Sequence, residues 1–149
     1  MSEKTFRCRM VTPTEKLVDD AVVYASIPAW DGLMGVLAGR APFLGRLGLG
    51  ELRLTFAGSG SSAPGTRSFL VDGGFLKMAD NALTIVAERA FPAETISEID
   101  AEAELREAEA RQIPADSADT TTASASLRRD RERARLKVKL AKSIRAGGI

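Results

Sequence analysis

The chain has 149 residues, 44% of them hydrophobic and 28% charged, with a net charge of +1, a balance that suits one globular domain or a small domain with an appendage. It contains no histidine and a single cysteine, Cys8, which removes Ser-His and Cys-His nucleophiles, an internal disulfide and any ordinary zinc site. No window approaches the ~18 apolar residues that cross a bilayer, and the N-terminus has no signal-peptide pattern, so a cytoplasmic location is expected.

Up to about residue 90 the hydrophobic period is two. Phe6, Cys8 and Met10 alternate with Arg7 and Arg9, which predicts a half-buried strand with a buried thiol. Leu17-Val18 and Val22 to Ile27 read as the next strands, with Asp19-Asp20 between them and Pro28 ending the run. Trp30 stands in a turn-like setting, where it either covers an edge of the β domain or anchors a protein interface. Gly32 to Pro42 reads as a short strand, Met34 to Leu37, that enters a tight loop, because three glycines and a terminal proline cannot form a helix core. Such a loop can serve only to turn a corner, and no Lys-Ser/Thr helix start follows that would make it a phosphate cradle.

Leu47 to Gly50 leads into an alternating strand, Glu51 to Phe56, and Gly58 to Gly65 predicts a hairpin tip. Arg67 to Val71, Phe75 to Met78 and Leu83 to Ala87 complete the strands, with Asp72-Gly73-Gly74-Phe75 and Asp80-Asn81 as turns. Many short strands at regular spacing predict an antiparallel sandwich or barrel.

The pattern changes after Phe91-Pro92. Asp100 is a good N-cap, Glu102 and Glu104 lie in the first turn, and Ala101, Leu105 and Ala108 share a face, so a helix is predicted over 100–113. Pro114 stops it. Residues 114–126 form a polar Ser/Thr/Ala linker, and a second helix is predicted over 127–145. On it Arg128, Arg131, Arg135, Lys139 and Lys142 fall in one arc, with Leu136, Leu140 and Ile144 on another side. Net charge is −5 over residues 99–126 and +7 over residues 127–149. The two helices are therefore expected to pair as an antiparallel hairpin with charges matched at the edges. The basic arc can be a solvated face or a nucleic-acid footprint, although the helix offers no aromatic for base stacking.

Gly32-Leu33-Met34-Gly35-Val36-Leu37-Ala38-Gly39-Arg40-Ala41-Pro42 resembles the GxxGVLPGHAPL segment of the epsilon subunit of F-type ATP synthases. Asp72-Gly73-Gly74-Phe75 is similar to that family's SGGF segment, and the order of elements matches over nearly the whole chain. Ala38 stands in place of proline, Arg40 in place of histidine, and Leu33 where many members have an acid.

The resemblance implies an N-terminal β-sandwich, residues 1–92, and a C-terminal two-helix antiparallel hairpin, residues 93–149. It implies a non-catalytic central-stalk subunit that couples proton or sodium flow to ATP synthesis and can restrain ATP hydrolysis. The partners implied are the gamma subunit, the c-ring and the beta subunit, at the cytoplasmic face of the bacterial inner membrane and without insertion into it. Leu33, Gly39, Arg40, Ala41 and Pro42 would face the c-ring, Asp72, Gly73, Gly74 and Phe75 the gamma subunit, and Arg128, Arg131, Arg135, Lys139 and Lys142 the beta subunit. Ile99-Asp100 resembles the start of the family's nucleotide motif Ile/Leu-Asp-x-x-Arg-Ala, but Ala103 and Glu104 replace its arginine and alanine, so no nucleotide or other cofactor is expected. From a different class, the alternative reading is a β-sandwich adaptor whose basic tail binds nucleic acid or anionic membrane.

Overall fold

A computed structural model describes residues 4–58, 64–112 and 120–147. The chain divides into two compact units, Met1–Pro92 and Ala93–Ile149.

The first unit contains six strands: β1 (Phe6–Val11), β2 (Lys16–Ala29), β3 (Gly32–Leu37), β4 (Phe43–Phe56), β5 (Gly65–Ala79) and β6 (Ala82–Pro92). They are hydrogen-bonded in the order β1-β6-β5-β4-β2-β3, and β1 also pairs with β2, so five strands close into a ring that carries β3 on β2. The pairing of β1 with β6 is parallel and the others are antiparallel. The N-terminal half of β2 pairs with β1, Val22 opposite Phe6, and its C-terminal half pairs with β3, Tyr24 opposite Leu37. The inside is filled by the alternate residues that periodicity predicts, including Phe6, Cys8, Met10, Val22, Ile27, Leu52, Leu54, Phe69, Leu76, Met78, Leu83 and Ile85. Burial raises the Cys8 thiol to about 12, with the nearby Asp19 charge adding to the shift.

The strands are fewer and longer than the sequence pattern suggests. β2 runs unbroken through Asp19-Asp20 and past Pro28. Asp19 is tolerated there because Arg7, diagonally across on β1, donates from Nε to its carboxylate at 2.7 Å, and Lys16 and Arg9, the latter directly opposite, lie within 3.4 and 4.0 Å. Asp20 accepts a bond from the Ala21 backbone N–H. β4 likewise absorbs Leu47 to Gly50. There Gly48 and Gly50 let β2 approach, since a Cβ at either would stand 2.8 Å from Ala29 O or Pro28 Cβ.

Asp72-Gly73-Gly74-Phe75 is not a turn. β5 passes through it without a register slip, with Leu47 opposite Gly74 and Leu49 opposite Asp72 on β4, and with Arg89 and Ala87 facing the same residues on β6. Gly73 and Gly74 have φ of +78° and +123°, which lets the strand coil where a side chain would resist. A Cβ at Gly74 would collide with the carbonyl oxygen of Val86. Asp80-Asn81 is the expected tight turn, both residues at positive φ. Of the expected hairpin tip at Gly58 to Gly65, residues 59–63 lie outside the described residues, and Phe56 pairs with Gly65 on either side of it.

The second unit begins with a 3-10 turn, Ala93–Thr95, followed by α1 (Glu98–Ala110) and α2 (Thr120–Gly147). Asp100 is not the N-cap. Ser97 is extended and its Oγ accepts from the Asp100 N–H at 3.3 Å, which places Asp100 in the first turn. Helix α1 ends at Ala110, since Arg111 is already extended. The second helix starts seven residues before Leu127. Thr, Ser and Ala cost only a few tenths of a kcal/mol each in a helix, so one anchored by its packed end propagates through them. Of the expected linker, residues 114–119 lie outside the described residues and 120–126 are helical. Ala101 and Ala108 on α1 and Leu127, Ala134, Leu140 and Ala141 on α2 are buried, and the alanines allow close helix contact.

Candidate partner-binding surfaces

The loop after β3 is fixed by its neighbours rather than loose. Residues 37–40 form a turn in which the Arg40 N–H bonds to Leu37 O at 3.3 Å and Gly39 has φ +81°. The Gly39 N–H donates to Asn81 Oδ1 at 2.9 Å, and Asn81 Nδ2 donates to Thr5 O at 2.9 Å. One side chain thus ties this turn to the β5–β6 turn and to the chain before β1. Arg40 donates from Nη1 to Gly35 O at 2.9 Å and lies over the Phe43 ring, 5.0 Å from its centroid. Beside it Tyr24, Gly35, Leu37, Ala38, Gly39 and Arg40 line a shallow concavity of about 290 Å³. At the other end of β3, Leu33 and Trp30 are 77% and 69% exposed, so Trp30 does not cover an edge. Its backbone N–H bonds to Arg46 O at 3.0 Å. Of the residues expected to act here, Gly39, Arg40, Ala41 and Pro42 lie together after β3, and Leu33 lies at that strand's start.

A second surface is the outer side of β4, β5 and β6. Phe75 is 60% exposed, Leu44 77% and Val86 46%. Phe75 stands opposite Val86 on β6 and opposite Arg46 on β4, with Leu44 two residues along from Arg46. An apolar row flanked by Arg46 and Lys77 results. Of the four residues expected at this surface, Phe75 offers its side chain to it, whereas Asp72 is buried and the two glycines shape the strand. Sequence reasoning missed Leu44 and Val86, although each sits at an outward position of an alternating strand.

The basic arc of α2 is largely used inside the hairpin. Arg131 donates to three carbonyl oxygens at the C-terminus of α1: Ala108 at 2.9 Å, Glu109 at 3.4 Å and Arg111 at 2.9 Å. Arg135 reaches Glu109 at 3.9 Å and Lys142 reaches Glu102 at 3.7 Å. Lys137, outside the predicted arc, pairs with Glu104 at 3.0 Å. Asp130 accepts from Arg111 at 3.1 Å and from Arg133 at 2.7 Å. Arg128 and Lys139 are exposed and have no ion pair among the described residues. Among those residues no helix is long and apolar enough to cross a membrane.

A closed, mostly antiparallel β unit with two exposed surfaces, followed by a charge-matched helical hairpin, defines the class of two-unit proteins in which a β domain carries a C-terminal helix pair. The family described as ATP synthase, Delta/Epsilon chain, beta-sandwich domain matches residues 5–93. The ATP synthase epsilon chain of Rhodopirellula baltica is 36% identical over 104 residues, covering 70% of this chain and 77% of that one. The sodium ion specific ATP synthase epsilon chain of Propionigenium modestum is 35% identical over 105 residues, covering 70% of each. Among solved structures, a chain from the Euglena gracilis mitochondrial ATP synthase, in its OSCP/F1/c-ring assembly, has the same fold. Its TM-score is 0.63 at 21% identity, covering 100% of this chain and 84% of that one. The chain belongs to the ATP synthase epsilon chain family. Its function is that of an epsilon chain of the ATP synthase.

Proposed function

We propose that the chain is a non-catalytic part of the central stalk that docks on the gamma subunit through the outer face of β4, β5 and β6. The observation that carries this reading is the exposed row of Leu44, Phe75 and Val86 beside Arg46 and Lys77, an apolar patch rimmed by charge on an otherwise closed unit. Gly73 and Gly74 serve the same contact by shaping the strand that presents Phe75, and Asp72 is buried beside them. The β3 edge, from Leu33 at the strand's start to Gly39, Arg40, Ala41 and Pro42 after its end, faces the c-ring, so the subunit turns with shaft and ring as one rotor. Its place is peripheral, at the cytoplasmic face of the bacterial inner membrane, and catalysis belongs to other subunits.

The hairpin supplies regulation. Arg128 and Lys139 are the first cations available to an acidic face of the beta subunit, and Arg131, Arg135 and Lys142 follow when the hairpin opens. Such a contact restrains ATP hydrolysis at the cost of the intra-hairpin pairs it replaces. The test is co-purification of the full chain with gamma. The chain as it stands co-purifies, whereas Phe75→Glu, which places a charge in the centre of the apolar row, does not. A folded Phe75→Glu chain that still binds gamma sinks this docking face.

A further inference from the structure

We propose that the concavity between Tyr24 and Arg40 receives a carboxylate side chain of the partner facing this end of the molecule, and that Asn81 is the positioning residue that keeps the concavity formed. The inference rests on the reading that the β3 end faces the rotor ring and names the chemistry of that contact.

Two donors converge over Gly35. The Arg40 guanidinium bonds to Gly35 O through Nη1 alone, so the rest of its five N–H groups have no acceptor and no carboxylate partner among the described residues. The Tyr24 ring lies over Gly35, its Oη 2.8 Å from where a Cβ would stand, it lines the same concavity as Arg40, and no hydrogen bond engages that hydroxyl among the described residues. Between them Leu37 and Ala38 make an apolar floor. One cation, one hydroxyl donor and an apolar floor suit a single planar anion on a methylene stem, which is an Asp or Glu side chain. A phosphate would leave most of its oxygens unsatisfied on Leu37 and Ala38.

The receptor is formed in advance. Arg40 is held from below by the Phe43 ring and at its head by Gly35 O, so little rotamer freedom remains to be lost on binding. Its backbone is held by the Gly39–Asn81 bond, across 42 residues of sequence. Asn81 sits at φ +58° in a two-residue hairpin turn, a conformation that glycine reproduces without the side chain. Asn81→Gly therefore removes the tether and leaves the turn.

The experiment measures binding of the full chain to the purified rotor ring, before and after the ring's exposed carboxylates are converted to neutral amides by carbodiimide coupling. Arg40→Gln weakens binding to the untreated ring about tenfold, and Tyr24→Phe weakens it less. Neutralising the ring brings the unmodified chain down to the Arg40→Gln level and costs Arg40→Gln nothing further, because both changes delete one interaction. Asn81→Gly speeds hydrogen exchange at the Gly39 amide and lowers ring affinity, and Asn81→Asp, which keeps the acceptor oxygen, restores part of both. Unchanged binding by Arg40→Gln, or losses that add, overturns the carboxylate receptor while the ring-facing reading stands. Fast exchange at Gly39 with unaltered affinity in Asn81→Gly overturns the role of Asn81. Failure of the unmodified chain to bind the ring overturns the ring-facing reading and this inference with it.

Discussion

Arg131 on α2 closes the end of α1 by donating from Nη2 to the carbonyl oxygen of Arg111 at 2.9 Å. With Ala108 and Glu109 also held, one guanidinium satisfies three of the four carbonyls at the helix end that have no partner within the helix. Two helices whose connection is polar and without a packing pattern are thereby fastened at the chain reversal by a side chain.

Arg131→Ala should loosen the hairpin by about 1–3 kcal/mol, the range for leaving half-buried acceptors unsatisfied. Hydrogen exchange in α1 of the full chain is the measurement. Protection should fall across Glu98–Ala110 and stay unchanged in the β unit, and uniform protection would show that the cap contributes nothing.

Arg128→Ala combined with Lys139→Ala should leave hairpin stability within about 0.5 kcal/mol, since both side chains are exposed and pair with nothing described. In the assembled ATP synthase the same double change should raise the hydrolysis rate at low salt. Added salt should shrink the difference, because the screening length falls to about 3 Å at 1 M. Equal rates at both salt concentrations would count against contact with the beta subunit.

Asp19 links stability to acid pH. Hydrogen bonds from Arg7 hold its carboxyl below the ordinary range, opposed by desolvation and aided by Lys16. A depressed folded pKa means the stabilisation is fully present above the unfolded value of about 3.9 and fades as pH falls through the lower folded value. Urea unfolding of Asp19→Asn and the unmodified chain should therefore differ near neutral pH and converge at strongly acid pH. Curves that run parallel at all pH values would refute this linkage.

Gly74→Ala should be severely damaging. It puts a side chain at positive φ, which costs an L residue about 1–2 kcal/mol, and its Cβ would also collide with the Val86 carbonyl oxygen of the next strand. Cys8 reports the outcome. Its buried thiol, raised to about 12, should react with a thiol reagent at pH 8 only when the β unit opens. Labelling should be slow in the unmodified chain and fast in Gly74→Ala.

Alternation in Phe6 to Met10, Glu51 to Phe56 and Leu83 to Ala87 made the strands legible, and the segregation of net charge, −5 over residues 99–126 and +7 over residues 127–149, made the hairpin legible in kind. What stayed hidden depends on partners distant in sequence. Asp19 reads as a strand breaker until Arg7 reaches it from the neighbouring strand, and Gly73-Gly74 reads as a turn until β6 is seen passing within a carbonyl's reach. The same holds at the surfaces. Arg40 and Phe75 stood out through their motifs, whereas Asn81 acts through a bond to Gly39 that no local pattern announces. Arg131 looked like one cation of five because helical geometry gives its angle and not the carbonyls it meets.

A sheet that closes on itself has no place for a stray strand to add. Here the closure leaves β3 as an edge strand, because β2 spends one edge on two partners and β3 pairs, among the described residues, with β2 alone. That strand is only six residues long, and the Arg40 guanidinium folds back over the Gly35 carbonyl within it. Short length and an inward-turned cation are the usual means by which β proteins discourage edge-to-edge aggregation. The residue proposed to meet the rotor ring therefore also blunts this edge against pairing with a strand of another chain.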